Sequence, residues 1–190
     1  MPKNQNPKPV IRRAGIADRE RIRRMQLQSF RVLGRGIYSD AEIESFLAHR
    51  GTMDDFLLYE GTYYMVEIDG FLAASGGWSR RTPLFGKSLK PPHAVDAPLV
   101  PWIRSIFVDP RFVRQGLATR LVELAEREAA FAGYRQLQLT ATLTGVPLYQ
   151  SLGYEATDRS AIDLPDGQQF RVVAMRKGIG AMARRARGSA

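Results

Sequence analysis

At 190 residues, with 44% hydrophobic and 25% charged side chains and no cysteine, the chain suits one α/β domain with its own core. Disulfides, thiolate metal sites and a cysteine nucleophile are excluded. Its formal charge of +9 sits at the ends, where Lys3, Lys8, Arg12, Arg13, Arg176, Lys177, Arg184, Arg185 and Arg187 supply the whole excess. The body between them is balanced, and nucleic acid is not an expected partner.

Residues 1–9 are rich in Pro, Asn and Lys and read as a disordered basic lead-in; 10–178 read as the folded domain and 179–190 as a flexible basic tail. No apolar run approaches the roughly 18 residues of a membrane span, and residues 1–7 hold no apolar leader core, so a cytoplasmic protein is expected. A short strand is expected over 10–14. Asp18 can then cap a helix to about Leu33, with Ile22, Met25, Leu27 and Phe30 as its apolar positions. A second helix over 40–49 starts at Ser39 or Asp40 and ends at Gly51.

The period then becomes strand-like. Residues 63–68 and 71–75 meet across Asp69-Gly70, whose residues accept the positive φ angles of a tight hairpin turn. An irregular stretch over 79–101 carries Pro83, Pro91, Pro92, Pro98 and Pro101 and reads as a shaped wall or lid more than a floppy linker. Residues 102–108 form a nearly continuous apolar run, broken only by Arg104 and Ser105, which suits a central strand buried on both faces. An amphipathic helix opens near Gly116 and ends at Gly133. Residues 135–142 alternate as a strand, a short helix covers 147–152, and two more strands are expected over 154–162 and 168–175. The order β-α-α-β-β-β-α-β-α-β-β describes a mixed sheet with helices on its faces.

The chemistry concentrates where the strand ending at Val108 passes through a loop into the helix at Gly116. Free N–H groups at a helix start, and the positive end of its dipole, make an anion site; Gly116 lets a ligand approach the backbone, and Arg111 and Arg114 add charge nearby. A diphosphate is the natural guest.

Ile106-Phe107-Val108-Asp109-Pro110, followed by Val113-Arg114-Gln115-Gly116-Leu117-Ala118, resembles the coenzyme A motif of the GNAT acetyltransferase superfamily. Pro147-Leu148-Tyr149-Gln150-Ser151-Leu152-Gly153-Tyr154 resembles that family's second signature. The resemblance covers about 10–177 in element order and 103–156 in motif. It implies a GNAT-like α/β fold: a mixed, mostly antiparallel sheet of about six or seven strands with helices on both faces. It also implies acetyl-CoA as cosubstrate, with Ile106, Phe107 and Val108 along the pantetheine arm. Arg111, Arg114, Gln115, Gly116, Leu117, Ala118 and Thr119 would lie around the pyrophosphate and Thr144 beside the cofactor, with Tyr149 as the acid that protonates the departing thiolate.

Three departures stand out. Val113 replaces the usual Gln or Arg, Thr144 replaces a common Asn, and no acid lies within 102–108, where some relatives carry a base. Asp109 precedes proline as a turn former does, and Glu67 is a remote second candidate base. His49 and His93 form no zinc motif, and no metal is expected. Arg80, Arg81 and Arg104 are surface charges or contacts for an acidic acceptor, and Trp78 and Trp102 are core residues or cleft walls.

The sequence thus points to an N-acetyltransferase moving acetyl from acetyl-CoA to a primary amine of a small molecule or peptide, by direct attack in a ternary complex. A backbone N–H of the splayed strand, that of Val108, would polarise the thioester. Its alternative is a non-catalytic acyl-CoA-binding or sensing domain of the same fold. The only protein partner allowed for is a second copy in a homodimer.

Overall fold

The computed structural model describes residues 8–83 and 99–180. β1 (Val10–Arg13) leads through α1 (Arg19–Gly34) and α2 (Asp40–His49) to β2 (Tyr63–Ile68), β3 (Phe71–Ser79) and β4 (Trp102–Val108). Then come α3 (Leu117–Phe131), β5 (Gln136–Thr142), α4 (Val146–Ser151), β6 (Glu155–Asp163) and β7 (Gln169–Gly178). The strands of the described residues form one 7-stranded sheet in the order β1-β2-β3-β4-β5-β7-β6. Every neighbouring pair is antiparallel except β4 and β5, which run parallel. This is the mixed sheet expected from element order, mostly antiparallel as the GNAT resemblance implies.

Local chemistry accounts for the elements. Asp69 and Gly70 both take positive φ, 49° and 77°, so the turn between β2 and β3 follows the strands' own twist. Ser39 and Glu42 form a reciprocal capping box that starts α2. Asp18 is different: its carboxylate binds Arg12 and the Gly15 N–H and makes no cap to α1. With two N–H donors from a guanidinium in reach, the charged pairing outcompetes the cap.

The sheet packs helices on both faces. α3 lays Leu117, Leu121, Val122 and Ala125 against one face, joined by α4 through Val146 and Tyr149. α1 and α2 cover the other with Ile22, Met25, Phe30, Ile43 and Phe46. On α1 the buried partner of Met25 is Gln26, while Leu27 is only half-buried. Gln26 tolerates burial because its amide donates to the Tyr63 hydroxyl (2.7 Å) and to Ser75 Oγ (3.1 Å).

β4 departs from the expectation of burial on both faces. Trp102, Ile103 and Arg104 are buried, but Ser105 to Val108 are half-buried, and β5 pairs with β4 only at Trp102, leaving the carboxyl end of β4 without a neighbour on that side.

Candidate active site

The sheet splits between β4 and β5. Their ladder holds only one pair, Trp102 with Gln138, reinforced by Gln138 N–H to the Pro101 carbonyl (3.0 Å) and Gln138 Nε2 to the Val100 carbonyl (2.8 Å). Beyond it a wedge opens toward the carboxyl ends of both strands.

A bulge in β4 shapes this wedge. Gly77 opposes Arg104 while Ser75 opposes Phe107, so β4 carries one extra residue there, and Ser105 sits at φ 48°. Ser105 is pinned at both ends: its carbonyl accepts the Tyr63 hydroxyl (2.8 Å) and its own hydroxyl donates to the Thr52 carbonyl (2.9 Å). Glycine is needed on β3 opposite, since a Cβ at Gly76 would stand 3.1 Å from Ile106 Cα.

Downstream of the bulge the hydrogen-bond alternation decides which amides face the wedge. The Asp109 N–H bonds the Ala73 carbonyl (2.9 Å), so the neighbouring pair, Ala74 with Val108, is of the non-hydrogen-bonded kind. The N–H and C=O of Val108 therefore turn away from β3 and into the wedge.

A cavity of about 260 Å³ fills the wedge and reaches both faces of the sheet. On the α3/α4 side Ala118, Thr144, Leu148 and Tyr149 line it; on the α1/α2 side Ser29, Phe30, Leu33, Tyr38 and Phe46 do; Ile106, Phe107 and Val108 run between. The Tyr149 hydroxyl makes no hydrogen bond among the described residues, and burial pushes its pKa up, so it is a protonated donor at neutral pH. Its ring meets that of Tyr154 edge to face at 5.7 Å. Tyr38 is occupied, donating to the Arg171 carbonyl and accepting from Leu143 N–H (both 2.7 Å), with burial raising its pKa to about 12.

The turn before α3 is built for an anion. Arg114 and Gly116 both take left-handed φ, 63° and 73°, and no side chain caps the helix. Its opening N–H groups, through Thr119, precede the first return bond, from Arg120 N–H to the Gly116 carbonyl (3.0 Å). Arg114 and Gln115 are exposed beside this turn; Leu117 turns its side chain into the core and leaves only its N–H. Arg111 is already paired, with Nε and Nη2 on Asp109 at 3.0 and 2.8 Å, and lies over the Phe71 and Phe112 rings. The pairing holds the Asp109 carboxyl below its usual range, so Asp109 is a poor proton acceptor.

The other titratable candidates lie elsewhere. Glu67 is taken by Arg12 and Arg21. His49 stands 3.5 Å from Asp166 at the surface. Arg104 is buried and turned to Asp54 (3.9 Å), away from the cavity, and desolvation lowers its pKa. Arg80 and Arg81 rest on the Tyr134 and Phe56 rings. Trp78 and Trp102 are buried, Trp78 in the core with Nε1 on Glu128 (3.2 Å), and neither lines the cavity. His93 and most of the proline-rich stretch, 84–98, lie outside the described residues. No cluster of three or more His, Asp or Glu able to hold a metal occurs among the described residues. No helix of the described residues is long and apolar enough to cross a membrane. Ser29, Leu33, Tyr38 and Phe46 were not legible as cavity residues. A serine and a leucine one helical turn apart on α1, at 29 and 33, were the only hint.

Comparison with known proteins gives the same picture. The family model for the acetyltransferase (GNAT) domain matches residues 101–177. No curated protein matches the chain. Among solved structures, the GCN5-related N-acetyltransferase of Rhodopseudomonas palustris is 18% identical with a TM-score of 0.69, covering 90% of this chain and 96% of that one. The PaiA N-acetyltransferase of Thermoplasma acidophilum, solved with coenzyme A, is 15% identical with a TM-score of 0.64, covering 90% and 99%. The polyamine N-acetyltransferase of Drosophila melanogaster, which forms N-acetylagmatine, is 15% identical with a TM-score of 0.63, covering 90% and 100%. The chain therefore has the GNAT N-acetyltransferase fold, and its resemblance to that superfamily holds by family model over residues 101–177 and by fold over nine-tenths of its length.

Proposed function

We propose that this protein transfers an acetyl group from acetyl-CoA to a primary amine by direct attack in a ternary complex. The observation that carries the proposal is the cavity through the sheet at the β4/β5 wedge. It is open to the α3 side, where a diphosphate would sit, and to the α1/α2 side, where a second substrate would enter.

In this reading the pyrophosphate lies on the N–H groups of Gln115, Gly116, Leu117, Ala118 and Thr119, with Arg114 beside it and Arg111 contributing less because Asp109 holds it. The pantetheine arm runs along Ile106, Phe107 and Val108 past Thr144, pairing with the amides that β5 leaves free. The Val108 N–H polarises the thioester carbonyl.

Tyr149 donates to the departing sulfur. A phenol ordinarily ionises near 10 and a thiol near 8.5, so full proton transfer to a finished thiolate is uphill by roughly 2 kcal/mol. The hydroxyl acts by a hydrogen bond that strengthens as charge builds on sulfur. The relatives named above include one whose product is N-acetylagmatine, which supports an amine as the acceptor class. Residues 10–178 are the unit we assign to this activity.

Two measurements test the proposal. Acetyl-CoA should raise the melting temperature by mass action, and Gly116→Glu should abolish that rise by putting bulk and negative charge at the diphosphate. Thiol release with a panel of amines then separates an enzyme from an acyl-CoA sensor, which would bind without turnover.

A further inference from the structure

The wall of the cavity on its acceptor side is made of rings and aliphatic chains. Phe30 and Phe46 stack at 5.2 Å with their planes 8° apart, and Leu33 and Phe107 extend the surface. Of the polar side chains among them Tyr38 and Ser105 are engaged, while Ser29, Thr52, Thr140 and Thr142 contribute uncharged hydroxyls. Tyr38 both donates and accepts within the protein, and Ser105 gives its proton to the Thr52 carbonyl.

No charged side chain lines the cavity among the described residues; Tyr38 and Tyr149 are its only titratable groups there, and burial raises both pKa values. Behind the wall Arg104 faces Asp54 and Glu60, and at the end of β4 Arg111 faces Asp109, so neither acid pair offers a free carboxylate to a substrate.

An ammonium entering this space gives up its hydration with no counter-ion among the described residues to replace it, which favours the neutral form. The amine must be neutral to attack in any case. A lysine-like alkylamine, with a pKa near 10.4, is neutral in roughly one molecule in 2,500 at pH 7; an α-amino group, with a pKa near 7.7–8.0, in roughly one in ten. Where no side chain is placed to remove the proton, that ratio of about 250 in neutral fraction favours the weaker base, offset in part by the greater nucleophilicity of the more basic amine. Size points the same way. A dry cavity of about 150 Å³ holds benzene, so about 260 Å³ leaves room for one ring beside a thioester.

Resting on the acetyltransferase reading, we infer that the acceptor is a weakly basic amine, neutral on arrival, carried on an apolar body about the size of one ring. Polycationic amines are excluded as good substrates by the same wall.

The test compares phenylalaninamide, 2-phenylethylamine and agmatine by thiol release and by mass spectrometry of the product. The first two share a body and differ in basicity. At about pH 7 phenylalaninamide should exceed 2-phenylethylamine in kcat/KM by about 100-fold, with agmatine lowest. Between about pH 7 and about pH 9 the 2-phenylethylamine value should rise about tenfold per unit, following the amine's own ionisation. Agmatine as the best acceptor, or a 2-phenylethylamine rate independent of pH, overturns the inference and leaves acetyl transfer standing. No transfer to any of the three while acetyl-CoA still binds overturns the acetyltransferase reading and this inference with it.

Discussion

Replacing Tyr149 by phenylalanine isolates one hydroxyl. That hydroxyl has no protein partner among the described residues, so its removal strands no other polar group. The ring keeps its edge-to-face contact with Tyr154 and its place over Gly145, where a Cβ would be 3.3 Å from its edge. Folding stability should therefore hold or rise slightly. Affinity for acetyl-CoA should also hold, because a neutral thioester sulfur is a weak acceptor in the ground state. The loss should fall on kcat. A hydrogen bond to a group bearing charge is worth about 1.5–3 kcal/mol, and each 1.4 kcal/mol is about tenfold in rate, so kcat should drop about 10- to 150-fold. Single-turnover acetyl transfer, with the melting temperature and coenzyme A affinity measured in parallel, gives the three numbers. An unchanged single-turnover rate would remove Tyr149 from the chemistry and leave it a packing residue.

The remaining expectations are shorter. Gly77→Ala should destabilise the protein by about 1–3 kcal/mol in urea titration, because its Cβ would collide with the Thr62 carbonyl and stand 2.8 Å from Tyr63 Cα, both backbone. A protein trimmed to residues 8–180 should retain acetyl-CoA turnover, since all seven strands and the cavity lie inside it.

Most of the fold was legible because its signals are local. Asp69-Gly70 announces a hairpin by the φ its turn requires, and the apolar face of 117–129 announces a helix by spacing alone. The residues proposed for the coenzyme could be singled out for the same reason: Ile106 to Thr119 are contiguous, and a strand running into a glycine-led helix is a pattern one segment can display. The acceptor side was not. Its wall comes from α1, α2 and β5, distant in sequence, and nothing in Phe30 or Phe46 distinguishes a cavity aromatic from a core one. Arg104 failed for a related reason. The sequence suggests a surface charge or a contact for an acidic acceptor, whereas Arg104 is buried and faces Asp54 and Glu60 from the segment before β2. The half-buried run Ser105 to Val108 likewise lies where β5 no longer pairs, which no feature of β4 itself records.

The same geometry bears on whether the acetyl group ever rests on the protein. Ser29, Thr52, Ser105, Thr140, Thr142 and Thr144 are the hydroxyl residues other than the two tyrosines that line the cavity among the described residues. A serine or threonine becomes a useful nucleophile only with a base in hydrogen-bond reach. No carboxylate or imidazole lines the cavity there, and Ser105 spends its proton on the Thr52 carbonyl at 2.9 Å. An amine needs no such activation once it is neutral, so direct attack is the lower path. Initial rates with both substrates varied should give intersecting reciprocal plots. Intact-mass measurement after incubation with acetyl-CoA alone should show no acetylated protein. A stoichiometric adduct that discharges when amine is added would overturn the direct mechanism and force a search for the base that activates one of those hydroxyls.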